Sequence, residues 1–214
     1  MNKRTKDLLT TSLVVGAAAI AVYFALFGRS PRVELGAYEV LGAVTAEETA
    51  KLLGNRGRVL VIARDTGADK NPSVEAQLAT FQRTLEKHAG LSQVTERFQA
   101  TPLLMMATGG GVPPDHLARA LQAHPDVGAL VLFCGLPPLA EAEAEALRKR
   151  GVKTVVVSSF RPDHAELLER KVIHLVITPR PEGPPPGTRP PRTLRERFDQ
   201  DYAIVTAADV AGEQ

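Results

Sequence analysis

The sequence predicts an α/β domain, an open and mainly parallel sheet with helices on both faces. Three observations point there. Residues 59–63, 129–133, 154–157 and 172–177 are short runs rich in Val, Leu and Ile, the profile of strands buried on both faces. Segments of helical length with caps or one apolar stripe lie between them, joined by short loops. Gly54, Gly90 and Gly151 stand where helices would stop. In such a sheet ligands bind beyond the carboxyl ends of the strands. Binding chemistry is therefore expected near Arg64–Asp65, Cys134 and Ser158–Ser159.

A chain of 214 residues suits one domain with appendages. Aromatic residues are 5% and Trp is absent, so the core must be aliphatic. A net charge of +2 is too small to mark a nucleic-acid binder. The single Cys excludes an internal disulfide.

Residues 1–7 carry Lys3, Arg4 and Lys6, and residues 8–27 then hold no charge. Twenty such residues make a helix of about 30 Å, the thickness of a bilayer core. Tyr23 and Phe24 lie toward its far end, where interfacial aromatics gather. The run is long for a signal peptide, and Gly28-Arg29-Ser30-Pro31 is a poor cleavage site, so an uncleaved anchor is favoured over a cleaved leader. Three basic residues before the span and two after it bias the N-terminus to the cytoplasm and the rest to the other side of the membrane.

Residues 28–43 read as a spacer, and residues 44–179 as the α/β unit. Thr45 and Glu48 have capping-box spacing, which predicts a helix from there to Gly54. After the strand 59–63 comes a polar loop, and Ser73 suits the N-cap of the next helix. Val74, Leu78, Phe81 and Leu85 form its apolar stripe. Residues 94–99 alternate weakly, as an edge strand does. Helices are expected from Asp115 to His124, from 139 to 150 and near 163–170. Residues 180–193, with Pro184-Pro185-Pro186, read as a linker. Five Arg and two Glu between residues 180 and 197 make this stretch basic, a solvated linker or a contact for lipid or partner. In the tail, 194–214, residues 202–206 form a strand that returns to the sheet edge or pairs with another chain.

Candidate chemistry is sparse. Asp65, Asp69, Lys70 and Asn71 share the loop after the first strand, as a polar ligand cluster or a solvated loop with an Asx turn. Cys134, with no neighbouring His in sequence, reads as a buried thiol rather than a nucleophile. Gly109-Gly110-Gly111 precedes a helix, but the Walker Lys is missing and Pro113-Pro114 removes two donors, so a plain loop is favoured over a phosphate cradle. The five His lack metal-ligand spacing. Glu141, Glu143 and Glu145 complement a helix dipole. Neither a catalytic constellation nor a metal or cofactor motif is evident.

The order of segments resembles one lobe of the type I periplasmic sugar-binding proteins of ABC transporters, best their C-terminal lobe. The resemblance is carried by Leu52-Leu53-Gly54-Asn55-Arg56-Gly57 entering a strand, by Phe81 four residues before Leu85, and by His124-Pro125-Asp126 leading to Ala129. Leu147, Gly151 and the run to Val157 follow, and the last strand ends at Thr178-Pro179. The family usually offers Asn or Asp where this chain has Cys134-Gly135, and Asp where it has Ser158-Ser159-Phe160. Family members close two lobes on a ligand, and one lobe is represented here. A micromolar binder has about −8 kcal/mol, and half of that is roughly millimolar. The resemblance therefore implies a membrane-anchored, periplasm-facing interaction or scaffold subunit on a degenerate lobe, without enzyme activity. Its partners would be other membrane or periplasmic proteins or a second copy. The alternative is a tethered module recognising a sugar-like solute through Asp65, Asp69, Asn71, Cys134 and Ser159.

Overall fold

The computed structural model describes residues 35–67, 70–158, 164–180 and 191–212. Helix α1 (Gly36–Leu52) leads into β1 (Gly57–Asp65), and α2 (Pro72–Leu85) and β2 (Leu91–Gln99) follow. Then come α3 (Pro102–Ala107), α4 (Pro114–Ala123), β3 (Ala129–Leu132), α5 (Glu141–Arg150), β4 (Lys153–Val157), α6 (Ala165–Glu169) and β5 (Leu175–Pro179). The chain ends in α7 (Leu194–Asp201), β6 (Tyr202–Val205) and α8 (Ala207–Ala211). The strand order is β2-β1-β3-β4-β5-β6, parallel except for β6, which pairs antiparallel with β5. The mainly parallel α/β sheet expected from the sequence is present. The membrane anchor expected at residues 8–27 lies outside the described residues, and among these no helix is long and apolar enough to cross a membrane.

Both faces of the central strands are buried. Val59, Val61, Ala129, Val131, Val155 and Val157 point to one face, packed by α1, α2 and α7. Leu60, Ile62, Leu130, Leu132 and Val156 point to the other, packed by α4, α5 and α6. Period-2 alternation between two apolar layers explains why these strands have no polar face. Each buried Val, Leu or Ile side chain contributes about 1.5–3 kcal/mol.

Helix α1 corrects the sequence reading. It begins at Gly36, so residues 36–43 are helix rather than spacer, and Thr45 is interior to it. The Thr45 hydroxyl donates to Leu41 O at 2.7 Å, and Thr49 donates to Thr45 O at 2.7 Å. Val40 to Ala46 are all buried, because α1 lies on the sheet with α2 and α7 along its flanks. A helix buried on nearly every side shows no one-faced stripe, and so leaves no amphipathic signal. Gly42 permits the fit: a Cβ there would sit 2.2 Å from Gln77 O and 3.1 Å from Phe81 N on α2.

Other boundaries shift for local reasons. Asn71, not Ser73, caps α2; its Oδ1 accepts from Ser73 N at 2.9 Å, and Pro72 takes the first helical position. Strand β5 begins at Leu175, because Val172 N and Ile173 N both donate back to Leu167 O. The tail does return to the sheet edge, with Tyr202 opposite Pro179 and Val205 opposite Val176. Helix α7 lies in the segment expected to hold only a strand; Thr193 caps it and Glu196 reaches back to Thr193 N.

His174 joins the last two parallel strands. Its Nδ1 accepts from Thr154 N at 3.2 Å, and its backbone N–H donates to Thr154 O at 2.8 Å. Burial, then Lys153 and Lys171, hold its pKa below the usual 6.5.

Two predictions follow from this packing. Gly42→Ala should lose a net of about 2 kcal/mol: the clash is with backbone, so overpacking costs about 3 kcal/mol, offset by about 1 kcal/mol of helix propensity. That lowers Tm by about 4–8 °C. Gly36→Ala, which meets only the end of the Arg197 side chain, should be tolerated; equal Tm values for the two variants would refute the close approach. For His174, a folded pKa below the unfolded one means that the unfolded chain takes up the proton first. The associated stability is complete above about pH 6.5 and is lost as pH falls toward the folded pKa. The urea midpoint should drop between pH 7.5 and 5.5, and drop less in His174→Asn.

Candidate functional site

The strand order reverses between β1 and β3, so the chain opens a crevice at their carboxyl ends. A cleft of about 330 Å³ lies there, beside β3 and β4. Its walls come from the glycine loop after α3 (Thr108, Gly109, Gly111), the loop after β3 (Cys134 to Leu139), and Ser158, His164 and Leu167.

The glycine loop is held from within. Thr108 Oγ1 lies 2.9 Å from Leu104 O and 3.0 Å from Gly111 O and donates between them. Arg64, at the end of β1, donates from Nη2 to Gly110 O at 2.6 Å. Gly109, Gly110 and Gly111 each donate their own N–H to carbonyls of Met106, Met105 and Thr108. The loop amides are thus engaged by the chain itself, which argues against a phosphate cradle. Gly111 is required by space, since a Cβ would lie 2.9 Å from Leu136 O.

The expected site residues separate. Asp65 Oδ1 accepts from Gly67 N at 3.0 Å, an Asx turn, and Asn71 caps α2. Both give an acceptor to local backbone, and neither lines the crevice. Asp69 and Ser159 lie outside the described residues. Cys134 does line the crevice, but is only 6% exposed, with Sγ 3.9 Å from Ile62 O. Burial pushes its thiol up to about 12, against a smaller opposing pull from Arg64. Buried Ser158 lines the same crevice. Among the described residues no group of three or more His, Cys, Asp or Glu could hold a metal ion.

The feature missed from sequence is α3. Thr101 caps it, accepting from Leu104 N at 3.3 Å, and Pro102 opens it. Leu104 and Met105 pack against the core, whereas Leu103 is 79% and Met106 82% exposed. No charged residue occurs from Phe98 to Pro114 or from Val127 to Ala140. The segments after β2 and around β3 are thus uncharged, with Leu103 and Met106 in water beside the charged loop of β1, which carries Arg64, Asp65 and Lys70. Thr101-Pro102 ahead of an uncharged run was the available signal. Two other clefts lie elsewhere, an apolar one between α4 and α5 and a polar one between α2 and β2.

The Cys134 geometry predicts an inert thiol. At pH 8 a thiol with a pKa of about 12 is thiolate in only about one molecule in 10,000. Aromatic disulfide reagents should label the chain only after denaturation; rapid labelling of the folded chain would show Cys134 to be accessible.

No family model matches the sequence, and no curated protein matches it. Solved structures do match in fold. The arabinose-binding protein AraP of Geobacillus stearothermophilus aligns at TM-score 0.54 and 17% identity, over 82% of this chain and 62% of that one. An ABC transporter solute-binding protein of Burkholderia graminis, solved with D-arabinose, aligns at 0.51 and 16%, over 80% and 60%. A structure from Bacteroides fragilis named as a putative LacI transcriptional regulator aligns at 0.51 and 12%, over 82% and 61%. The chain thus spans about three fifths of the length of the structures it matches. At these identities the likeness is one of fold: the described domain has the fold of one lobe of the type I periplasmic sugar-binding proteins.

Proposed function

We propose that the chain is a membrane-anchored, periplasm-facing interaction or scaffold subunit, built on a sugar-binding-protein lobe that has lost its ligand groups. The observation that carries this reading is the composition of the carboxyl-end face. A sugar needs several planar carboxylates or amides aimed at its hydroxyls. Here the crevice is walled mainly by Gly, Pro and Leu, and Leu103 and Met106 stand exposed nearby. Large apolar side chains grouped in water mark contact surfaces more often than solute sites.

The path of the chain agrees with a tether. Gly42 of α1 lies against Gln77 of α2, each five or six residues from the start of its helix. Helix α2 starts just beyond the carboxyl end of β1, so α1 starts at that end of the sheet as well. The described chain therefore begins at the end of the sheet where the crevice opens.

Recognition of a small polar solute is the second reading. It is favoured by the open crevice with Thr108, Ser158 and His164 on its wall, and by the arabinose-binding neighbours.

Thermal-shift screening of the full chain in detergent, against pentoses, hexoses and nucleotides, separates the two. A ligand at one hundred times its Kd adds ~2.7 kcal/mol of stability. No shift is expected. A shift abolished by Ser158→Ala would establish solute recognition instead. In the interaction reading, a photo-crosslinker at position 106 forms protein adducts in cells, and one at position 149 does not. Protease access in spheroplasts tests the periplasmic placement, and a protected domain would refute it.

A further inference from the structure

We propose that the polar cleft between α2 and β2 binds a free amino acid whose side chain ends in N–H donors, of the lysine, arginine or glutamine kind. The cleft is separate from the crevice, and the proposal does not rest on the interaction reading above.

The cleft has about 290 Å³ of room, close to the ~300 Å³ at which pockets for small ligands begin. Its two ends differ in chemistry. Glu75, near the start of α2, meets Arg97, near the end of β2. Gln82 and Gln93 also line the cleft. Seven residues of helix separate Glu75 from Gln82, about 10 Å, and four of strand separate Arg97 from Gln93, about 13 Å. Charged groups thus stand at one end and amides at the other. Leu78 and Ala79 lie between, with buried Val61 and Phe81 beneath.

The charged end selects a zwitterion. Arg97 donates from Nη1 and Nη2 to the two Glu75 oxygens at 2.6 and 3.1 Å. A guanidinium has five N–H donors, so three remain for an acceptor, and each Glu75 oxygen keeps a lone pair for a donor. The Arg97 bonds hold the Glu75 carboxyl below its usual range, so both groups are charged at neutral pH. A lone anion would be opposed by Glu75 and a lone cation by Arg97. A carboxylate and an ammonium side by side satisfy both through charge-assisted bonds, the stronger kind. Asp65 and Lys70, which act on this end from the loop after β1, are of opposite sign and leave that balance unchanged.

The amide end selects the side chain. Gln93 Oε1 is buried without a hydrogen-bond partner. Its terminal torsion is soft, so the amide can turn this oxygen toward a donor in the cleft. Gln82 gives Nε2 to Glu86 Oε1 at 2.9 Å, which leaves its carbonyl oxygen to accept. Two amide oxygens call for N–H donors. An apolar side chain leaves them unmet, and a carboxylate sets acceptor against acceptor. The stem of the side chain crosses Leu78 and Ala79. In the crevice, by contrast, Thr108 and Arg64 spend their donors on the chain's own backbone.

Calorimetric titration of the full chain in detergent tests this. At least one of L-lysine, L-arginine and L-glutamine should bind saturably, and about tenfold or more tighter than L-leucine or L-glutamate. Cadaverine and agmatine, which lack the carboxylate, should bind about tenfold or more weakly than lysine and arginine. Gln93→Leu and Ala79→Leu should each weaken binding at least about tenfold with the thermal midpoint kept. Ser92→Ala, one position along β2 and so on its other face, should change nothing. No saturable heat from any of the three amino acids, equal binding of L-leucine, or binding unchanged in both Gln93→Leu and Ala79→Leu overturns the proposal. Diamine binding as tight as that of the amino acid overturns the zwitterion. A hexose whose heat is lost in Gln93→Leu makes a sugar the occupant, which overturns the proposal as well.

Discussion

The rest of the structure depends on the seating of α1. This helix covers one face of the central strands, and it can do so only because Gly42 brings its backbone against Gln77 of α2. The close approach closes the layer over Val59, Val61, Val131 and Val155. It also sets the direction in which the chain enters the domain. Small residues serve this packing: Ala43, Ala46 and Ala50 are buried along the same helix, and side chains of greater volume would push the layer off the sheet. The two buried threonines cost little, because each hydroxyl returns its hydrogen bond to the preceding turn.

With both faces of the central strands covered, function is left to the cleft beside β2 and to the carboxyl end of the sheet. At the carboxyl end the polar groups are largely engaged by the chain itself. Arg64 holds the glycine loop, Thr108 holds it again, Asp65 turns its own loop and Asn71 caps α2. Those bonds stabilise the loops and withdraw the groups from service to a solute. The apolar side chains of Leu103 and Met106 remain in water at this end, which supports the proposed contact role. The sheet edges are less open to pairing. Strand β6 has four residues, and β2 carries Arg97 in a two-bond pair with Glu75 at 2.6 and 3.1 Å. Short or charged edges discourage strand addition, which leaves α3 as the more available contact.

Much of the fold was legible because the strands announce themselves. Residues 129–132 and 153–157 are apolar runs bounded by turn residues, and they formed β3 and β4 within one residue of expectation. Helix α4 ended where His124 was placed as its last residue, within one position. The failures share a cause. The Thr45–Glu48 pattern has capping-box spacing, but packing of Val40 to Ala46 against the sheet, α2 and α7 carried the helix nine residues upstream of Thr45. Thr193 and Glu196 at the start of α7 have the same spacing, but the Pro-rich residues before them have the composition of a linker. Local spacing alone does not distinguish a helix start from a helix interior.

The sequence by itself determined the mainly parallel sheet, the alternation of strands with helices and the burial of the single Cys. These follow from hydrophobic period, turn residues and residue chemistry, all readable within a few neighbouring positions. Only the tertiary structure decided which polar residues were already engaged, where α1 began, and that Leu103 and Met106 face water while Leu104 and Met105 face the core. Those outcomes depend on contacts between segments far apart in the chain, such as Gly42 with Gln77 and Arg64 with Gly110. A residue cannot carry the identity of such a distant neighbour in its own local pattern.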